Sequence, residues 1–205
     1  VDQDFTPAKL VNVAQDRTHH MFTQEIHLSN LHSSRLEFVT GLFGFYQLRD
    51  KKVDVFYEED AVSVFRLPSE MQKFKSYDKI TGGFAAFGQM TYHDLFIERL
   101  QATVGLRYDY EFDELDYRYL LFMNNNSNVQ EDFVHQKSYP ELLPKLSFHY
   151  KWNDQLVQYF SFTKGYKSGG FNSTFERKVD QTFRPEYSLN YEGGLKYTSS
   201  RLFVN

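Results

Sequence analysis

The sequence predicts an all-β chain: an antiparallel, up-and-down transmembrane β-barrel segment of about eight strands. Three observations predict it. From Leu100 to Asp113, apolar and polar residues alternate without exception, the period of a strand with two unlike faces. That run exceeds the length of about 5–6 residues usual for soluble strands and suits the 9–11 or so of a tilted membrane strand. Finally, short and long connections alternate along the chain, placing every tight turn on one rim, as in outer-membrane barrels.

In order, the first strand is predicted at His19–Ser29, with Phe22, Ile26 and Leu28 on one side. Leu36–Arg49 follows and is apolar on both faces in its middle. Gly83–Tyr92 alternates Phe84, Ala86, Met90 and Tyr92 with Ala85, Phe87, Gln89 and Thr91. In Leu100–Asp113 the apolar face runs Leu100, Ala102, Val104, Leu106, Tyr108, Tyr110, Phe112, against Arg107, Asp109 and Glu111. Lys145–Lys151, Leu156–Tyr166 and Tyr187–Tyr197 repeat the pattern, and a last strand begins at Arg201. Short turns are predicted at Asn30–Arg35, His93–Arg99, Trp152–Gln155 and Thr198–Ser200. Long polar loops are predicted at Asp50–Thr81, Glu114–Pro144 and Lys167–Pro185.

Composition narrows the function. A net charge of -4 disfavours nucleic acid as a partner. Without cysteine there is neither a disulfide nor a thiolate metal site. No run approaches the roughly 18 apolar residues of a membrane helix, which leaves membrane strands untouched. Phe and Tyr number 21 and 15, and aromatic residues make up 18% of the chain. That load suits a surface meeting lipid at its headgroup boundary.

The stretch SFTKGYKSGGFN (Ser161–Asn172) has the glycines and Lys-Ser pair of a phosphate loop. It fails as one, because Lys167 follows Gly165 too closely and no helix comes next. His19, His20, His27 and His32 match no metal-ligand spacing. Asp109, Glu111 and Asp113 share one strand face, where exposed carboxylates solvate a lumen wall more readily than they catalyse. No catalytic constellation is recognisable.

Three segments carry a family resemblance: FGQMTY with VGLRYDYE (Phe87–Tyr92, Val104–Glu111), KGYKSGGFN (Lys164–Asn172) and PEYSLNYEGGLK (Pro185–Lys196). With FTQEIHLSN and FVTGLFGFYQ before them, they resemble consecutive barrel strands of TonB-dependent outer-membrane receptors. The resemblance implies a barrel of about 22 strands with a plug inside it. It also implies residence in the bacterial outer membrane and uptake of a scarce nutrient, commonly a ferric siderophore, with energy relayed by TonB. No plug, TonB-contacting segment or terminal aromatic strand is recognisable. Residues 1–205 are therefore expected to be part of the barrel domain, with the plug and C-terminal strands outside this chain. An isolated segment with two open edges and a lipid-facing surface is expected to associate or to need detergent.

Loops are where discrimination between ligands is expected. Asp50–Thr81 carries Phe56, Tyr57, Phe65, Arg66, Phe74 and Tyr77, and Lys167–Pro185 carries Phe171, Asn172, Phe175 and Arg177. Rings with arginine beside them suit a planar or anionic iron chelate. Arg107, Asp109 and Glu111 are expected to face the lumen. No cofactor or directly ligated metal is expected, since iron would arrive within its chelate. A passive channel would share the alternation but lack a plug, and a soluble carbohydrate-binding β-module would turn its apolar face to a core.

Overall fold

In a computed structural model the protein is described over residues 8–30, 35–67, 69–124, 126–172, 175, 181–198 and 203–204. The chain runs β1 (Val11–Ser29), β2 (Leu36–Tyr57), α1 (Glu59–Val64), β3 (Met71–His93), β4 (Leu100–Met123) and β5 (Asn126–Lys151). It continues through β6 (Leu156–Lys167), β7 (Gly170–Phe171), β8 (Thr182–Phe183), β9 (Glu186–Thr198) and β10 (Phe203–Val204). Eight strands form one sheet in the order β1-β2-β3-β4-β5-β6-β9-β10, while β7 and β8 pair apart from it. Every pairing is antiparallel. The meander is open, with β1 and β10 at its edges.

The two faces follow from the alternation. Cross-strand register sets Leu42 beside Ala86 and Tyr108, and Phe38 beside Met90 and Val104. Phe22, Ile26, Leu42, Met90, Val104, Leu106, Leu142 and Tyr191 are all exposed on the resulting outer face. On β4 this apolar band spans Leu100 to Phe112, the segment that the sequence pattern marks as a membrane strand. The opposite face carries Gln89, Arg107, Asp109 and Glu111 at the same height. No helix among the described residues is long and apolar enough to cross a membrane.

Short turns close one rim through side chains that replace missing ladder partners. The Asn30 side chain donates to the Leu36 carbonyl and accepts from the Phe38 N–H. Asp94 accepts the Arg99 N–H at 2.7 Å. Asn153 Oδ1 takes the N–H groups of both Gln155 and Leu156, an Asx turn.

On the other rim the expected long loops are mostly strand. β2 continues to Tyr57, β3 starts at Met71, β4 runs to Met123, and β5 starts at Asn126. The segments Asp50–Thr81 and Glu114–Pro144 are thus tall hairpins, not loops, and β1 starts at Val11, earlier than the alternation indicated. Beyond the apolar band the outer face meets water as well, so outward positions become Asp50, Lys52, Asp78, Asp116 and Arg118. The hydropathy alternation changes phase there, apolar residues such as Leu115 and Tyr117 now facing inward, while the hydrogen-bonded ladder goes on. A bulge at Tyr119/Leu120 bends the last turn of the β4–β5 hairpin.

Proline splits the sheet at one seam. The β5–β6 ladder stops at Lys145–Thr163, one residue short of Pro144. β4 pairs with β5 straight through both Pro144 and Pro140. The missing donors therefore lie on the β6 side, where proline is tolerated only at an edge. Glu141 bridges the gap, accepting Lys164 Nζ at 2.8 Å and the Tyr187 hydroxyl at 2.7 Å.

Candidate functional site

Above the apolar band, the inner face of β2–β5 carries a packed aromatic cluster among lysines. Register places Lys51, Tyr77, Tyr117 and Phe133 in one row across neighbouring strands. Adjacent rows add Arg49, Lys79, Leu115 and His135, then Gln47, Thr81, Asp113 and Lys137. These residues share a face because the period of two continues through the tall hairpins.

The segment after β6 folds inward onto this face. Asp113, 3% exposed, takes the Lys79 ammonium at 2.8 Å, the Thr81 hydroxyl at 2.7 Å and the Phe171 N–H at 3.1 Å. Lys79 also donates to the Phe171 carbonyl. A buried carboxylate is tolerable when a cation and several donors surround it. Gly169 and Gly170 permit the approach: a Cβ on Gly170 would stand 2.7 Å from Asp113 Oδ2, and one on Gly169 2.8 Å from the Phe183 carbonyl. Neither has positive φ, so closeness and not turning is what glycine supplies here.

Phe171 and Phe175 thereby enter a core with Tyr77, Leu115 and Tyr117, flanked by Val53, Tyr119 and Phe133. The Phe175 ring lies 4.7 Å from Tyr117 and 5.6 Å, edge-on, from Tyr77. Around this core, Lys51 Nζ sits over Tyr77, Lys75 over Tyr119 and Lys137 over Phe171, at 5.8, 5.3 and 5.8 Å. Burial, and then the charge of Arg17, pushes the Lys51 ammonium below the ordinary lysine value.

The remaining expected ligand residues lie elsewhere. Phe56 and Tyr57 end β2 and help line a cleft of about 850 Å³ with Lys9, Glu58, Met71 and Phe122. Tyr57 receives Lys73 Nζ on its hydroxyl at 3.0 Å and meets Phe65 edge-on at 6.3 Å. Arg66 follows α1 with φ of 54°. The Asn172 N–H bonds the Gln181 carbonyl. Arg177 lies outside the described residues. Arg107, Asp109 and Glu111 lie on the inner face lower down, where Arg107 and Asp109 pair at 2.8 Å.

Tyr57 and Phe65 come together, as do Phe171 and Phe175, but the two groups occupy different places. Sequence reasoning passed over Tyr117, Phe133 and the lysines. Their signal was present as spacing of two in Lys73, Lys75, Tyr77 and Lys79 and in Leu115, Tyr117 and Tyr119. Among the described residues no group of three or more His, Asp or Glu could hold a metal ion, and His32 lies outside them.

Comparisons with known proteins follow the same lines. The family model described as TonB dependent receptor-like, beta-barrel matches residues 2–205. The crystal structure of the ferric yersiniabactin uptake receptor FyuA from Yersinia pestis is similar in fold, with a TM-score of 0.69 and 22% identity. The match covers 95% of this chain and 28% of that one, so the chain spans little more than a quarter of that receptor's length.

Proposed function

Because the chain belongs to the TonB-dependent receptor β-barrel family, we propose that it forms part of the wall of a bacterial outer-membrane receptor for an anionic ferric siderophore. Proteins of this family are transporters and not enzymes. In this reading the short-turn rim faces the periplasm, and the tall hairpins stand outside the cell. TonB supplies energy through a plug that lies outside this chain.

One observation carries the choice of ligand. The inner face above the apolar band sets Lys51, Lys75 and Lys137 against aromatic rings. Lys51 and Lys75 are largely buried, and ammonium groups held among rings in a partly dry layer attract anionic, ring-bearing chelates, because charge there is screened less than in bulk water. Phe171 and Phe175 pack onto that face from the lumen side and hold its rings in place. The similar fold of a ferric yersiniabactin receptor is consistent with this class of ligand.

The test is uptake of radiolabelled iron by cells carrying the full-length receptor as their sole iron-uptake route. Accumulation of an anionic siderophore complex that stops when TonB is deleted is the expected result. Equal entry with and without TonB would instead identify a passive channel.

A further inference from the structure

The turn between β3 and β4 holds apolar side chains away from the rest of the chain. Among the described residues, three of the five non-glycine residues with positive φ lie here: Asp94 at 55°, Phe96 at 59° and Arg99 at 68°. The Ile97 N–H donates to the Leu95 carbonyl at 2.7 Å, which makes Phe96 the centre of a γ-turn of the rarer, strained hand. Left-handed backbone is costly for a bulky ring, and asparagine or glycine would form such a turn more easily. Yet the ring is there, with Phe96 95% exposed and Ile97 58%.

The turn is held from several sides. The Leu95 N–H donates to the Leu100 carbonyl at 3.0 Å, and the Asp94 carboxylate accepts the Arg99 N–H. Arg99 also reaches the next turn: its guanidinium donates to the Trp152 carbonyl at 3.3 Å, and its own carbonyl accepts the Lys151 N–H at 3.1 Å. Strained backbone persists only where its surroundings over-determine it, and such places cluster at functional sites. Here the surroundings fix a knob, Phe96 and Ile97, that the chain itself leaves largely uncovered.

The neighbours of the knob point to its partner. The outward face of the nearby strand ends carries Tyr92, Tyr150, Trp152 and Tyr197, where the apolar band that begins at Leu100 stops. Trp152 meets Tyr150 edge-on at 5.0 Å and donates through Nε1 to Gln158. Rings at the end of an apolar band mark the level of lipid headgroups, a layer that adds roughly 5–7 Å to each side of the hydrocarbon core. The knob stands one short turn beyond those rings, within reach of that layer. Arg99 and Lys151, both exposed beside it, suit lipid phosphates. Two apolar side chains fall far short of the roughly 800 Å² per partner of a stable protein interface, whereas a bilayer boundary needs no matching surface. We propose that the Asp94–Arg99 turn is a membrane anchor: Phe96 and Ile97 enter the boundary between headgroups and acyl chains of the leaflet at the short-turn rim, with Arg99 and Lys151 on its phosphates. The anchor goes beyond the receptor reading and needs only that the outer face meets lipid, whatever the route of transport.

The experiment uses the full-length receptor, kept free of any cysteine but the labelled one, in vesicles of phosphatidylethanolamine and phosphatidylglycerol. Phe96→Cys, Ile97→Cys and, on the neighbouring turn, Asp154→Cys each carry a nitroxide spin label, and heat-resistant migration on gels confirms folding. Collision with oxygen, which gathers in lipid, is compared with collision with a water-soluble nickel chelate. At the depth of about 5–10 Å of an interfacial anchor, the labels replacing Phe96 and Ile97 should show an oxygen-to-nickel ratio about fivefold above the label replacing Asp154. Ile97→Cys keeps the Phe96 ring, so the result does not depend on the ring's removal. Ratios equal to that at Asp154 would place the turn in water and overturn the anchor, as would protection that appears only when periplasmic proteins are added. If the labels are protected while uptake in cells proves passive, the anchor stands and the receptor reading alone fails.

Discussion

The Asp113 carboxylate accepts the backbone N–H of Phe171 at 3.1 Å across a separation of 58 residues. That bond ties the segment after β6 to the middle of the β3–β4 hairpin, across the seam that Pro144 opens. Two parts of the sheet that share a short ladder below are thus pinned together above. The pin is ionic as well as polar, since Lys79 joins both Asp113 and the Phe171 carbonyl.

Removing that carboxylate should release the segment. Asp113→Ala leaves Lys79 buried without its partner, and breaking one side of a buried pair costs about 3–5 kcal/mol. Hydrogen exchange at residues 169–172 of the full-length receptor should accelerate at least a hundredfold, with little change in the lower strands. Exchange unchanged at these amides would show that ring packing alone holds the segment.

The two glycines should behave alike for steric reasons. Gly170→Ala drives a methyl to 2.7 Å from Asp113 Oδ2, and Gly169→Ala to 2.9 Å from the Tyr139 ring. Gly44→Ala meets nothing closer than 3.8 Å. Overpacking costs about 1–3 kcal/mol, so the first two variants should lose protease resistance in this segment while the third keeps it.

Sidedness is testable by charge. Leu106 points outward within the apolar band, and Asn190 points inward at a similar height, through the Asn190–Thr163 and Thr163–Lys145 pairs. Leu106→Arg should destabilise the receptor in lipid bilayers by about 2–4 kcal/mol, as arginine does at the lipid midplane. Asn190→Arg should cost under about 1 kcal/mol by the same denaturant titration. Equal losses would place both residues against lipid or both against water.

The lower half of the fold was legible because lipid imposes a hydropathy code: Leu100–Phe112 had to alternate, and does. The upper half was not, because the outward face turns polar and the alternation in Glu114–Tyr119 changes phase, with Leu115 and Tyr117 facing inward, so it no longer continues the pattern of Leu100–Phe112. What remained there was subtler, a spacing of two among lysines and tyrosines in Lys73–Lys79. Pro140 and Pro144 fall in the segment predicted as a long polar loop, yet each sits in a strand at an edge that needs no donor. Phe171 was visible as an aromatic residue after a double glycine, but its burial depends on Asp113, a partner that no local pattern points to.

Lys51 gives a test of the ligand face that depends on pH. Its ammonium is held below the ordinary lysine value, first by burial and then by Arg17. A base with a lowered folded value carries fewer protons when folded than when unfolded between the two values, so stability rises with pH across that window. At neutral pH the cost of charging it is fully present. Binding of an anion works in the opposite sense, because it needs the charged form. Affinity for the anionic chelate should therefore hold near pH 7 and fall as pH rises through the lowered value, before ordinary lysines near 10.4 titrate. Lys51→Arg, charged throughout, should abolish that alkaline fall. Lys51→Gln should weaken binding about 5- to 30-fold already at neutral pH, the loss of roughly 1–2 kcal/mol expected for one charge-assisted contact. Equilibrium binding to the purified full-length receptor between about pH 7 and about pH 10 checks all three. Superimposable curves for the natural protein and Lys51→Arg would mean that the anion does not meet this face.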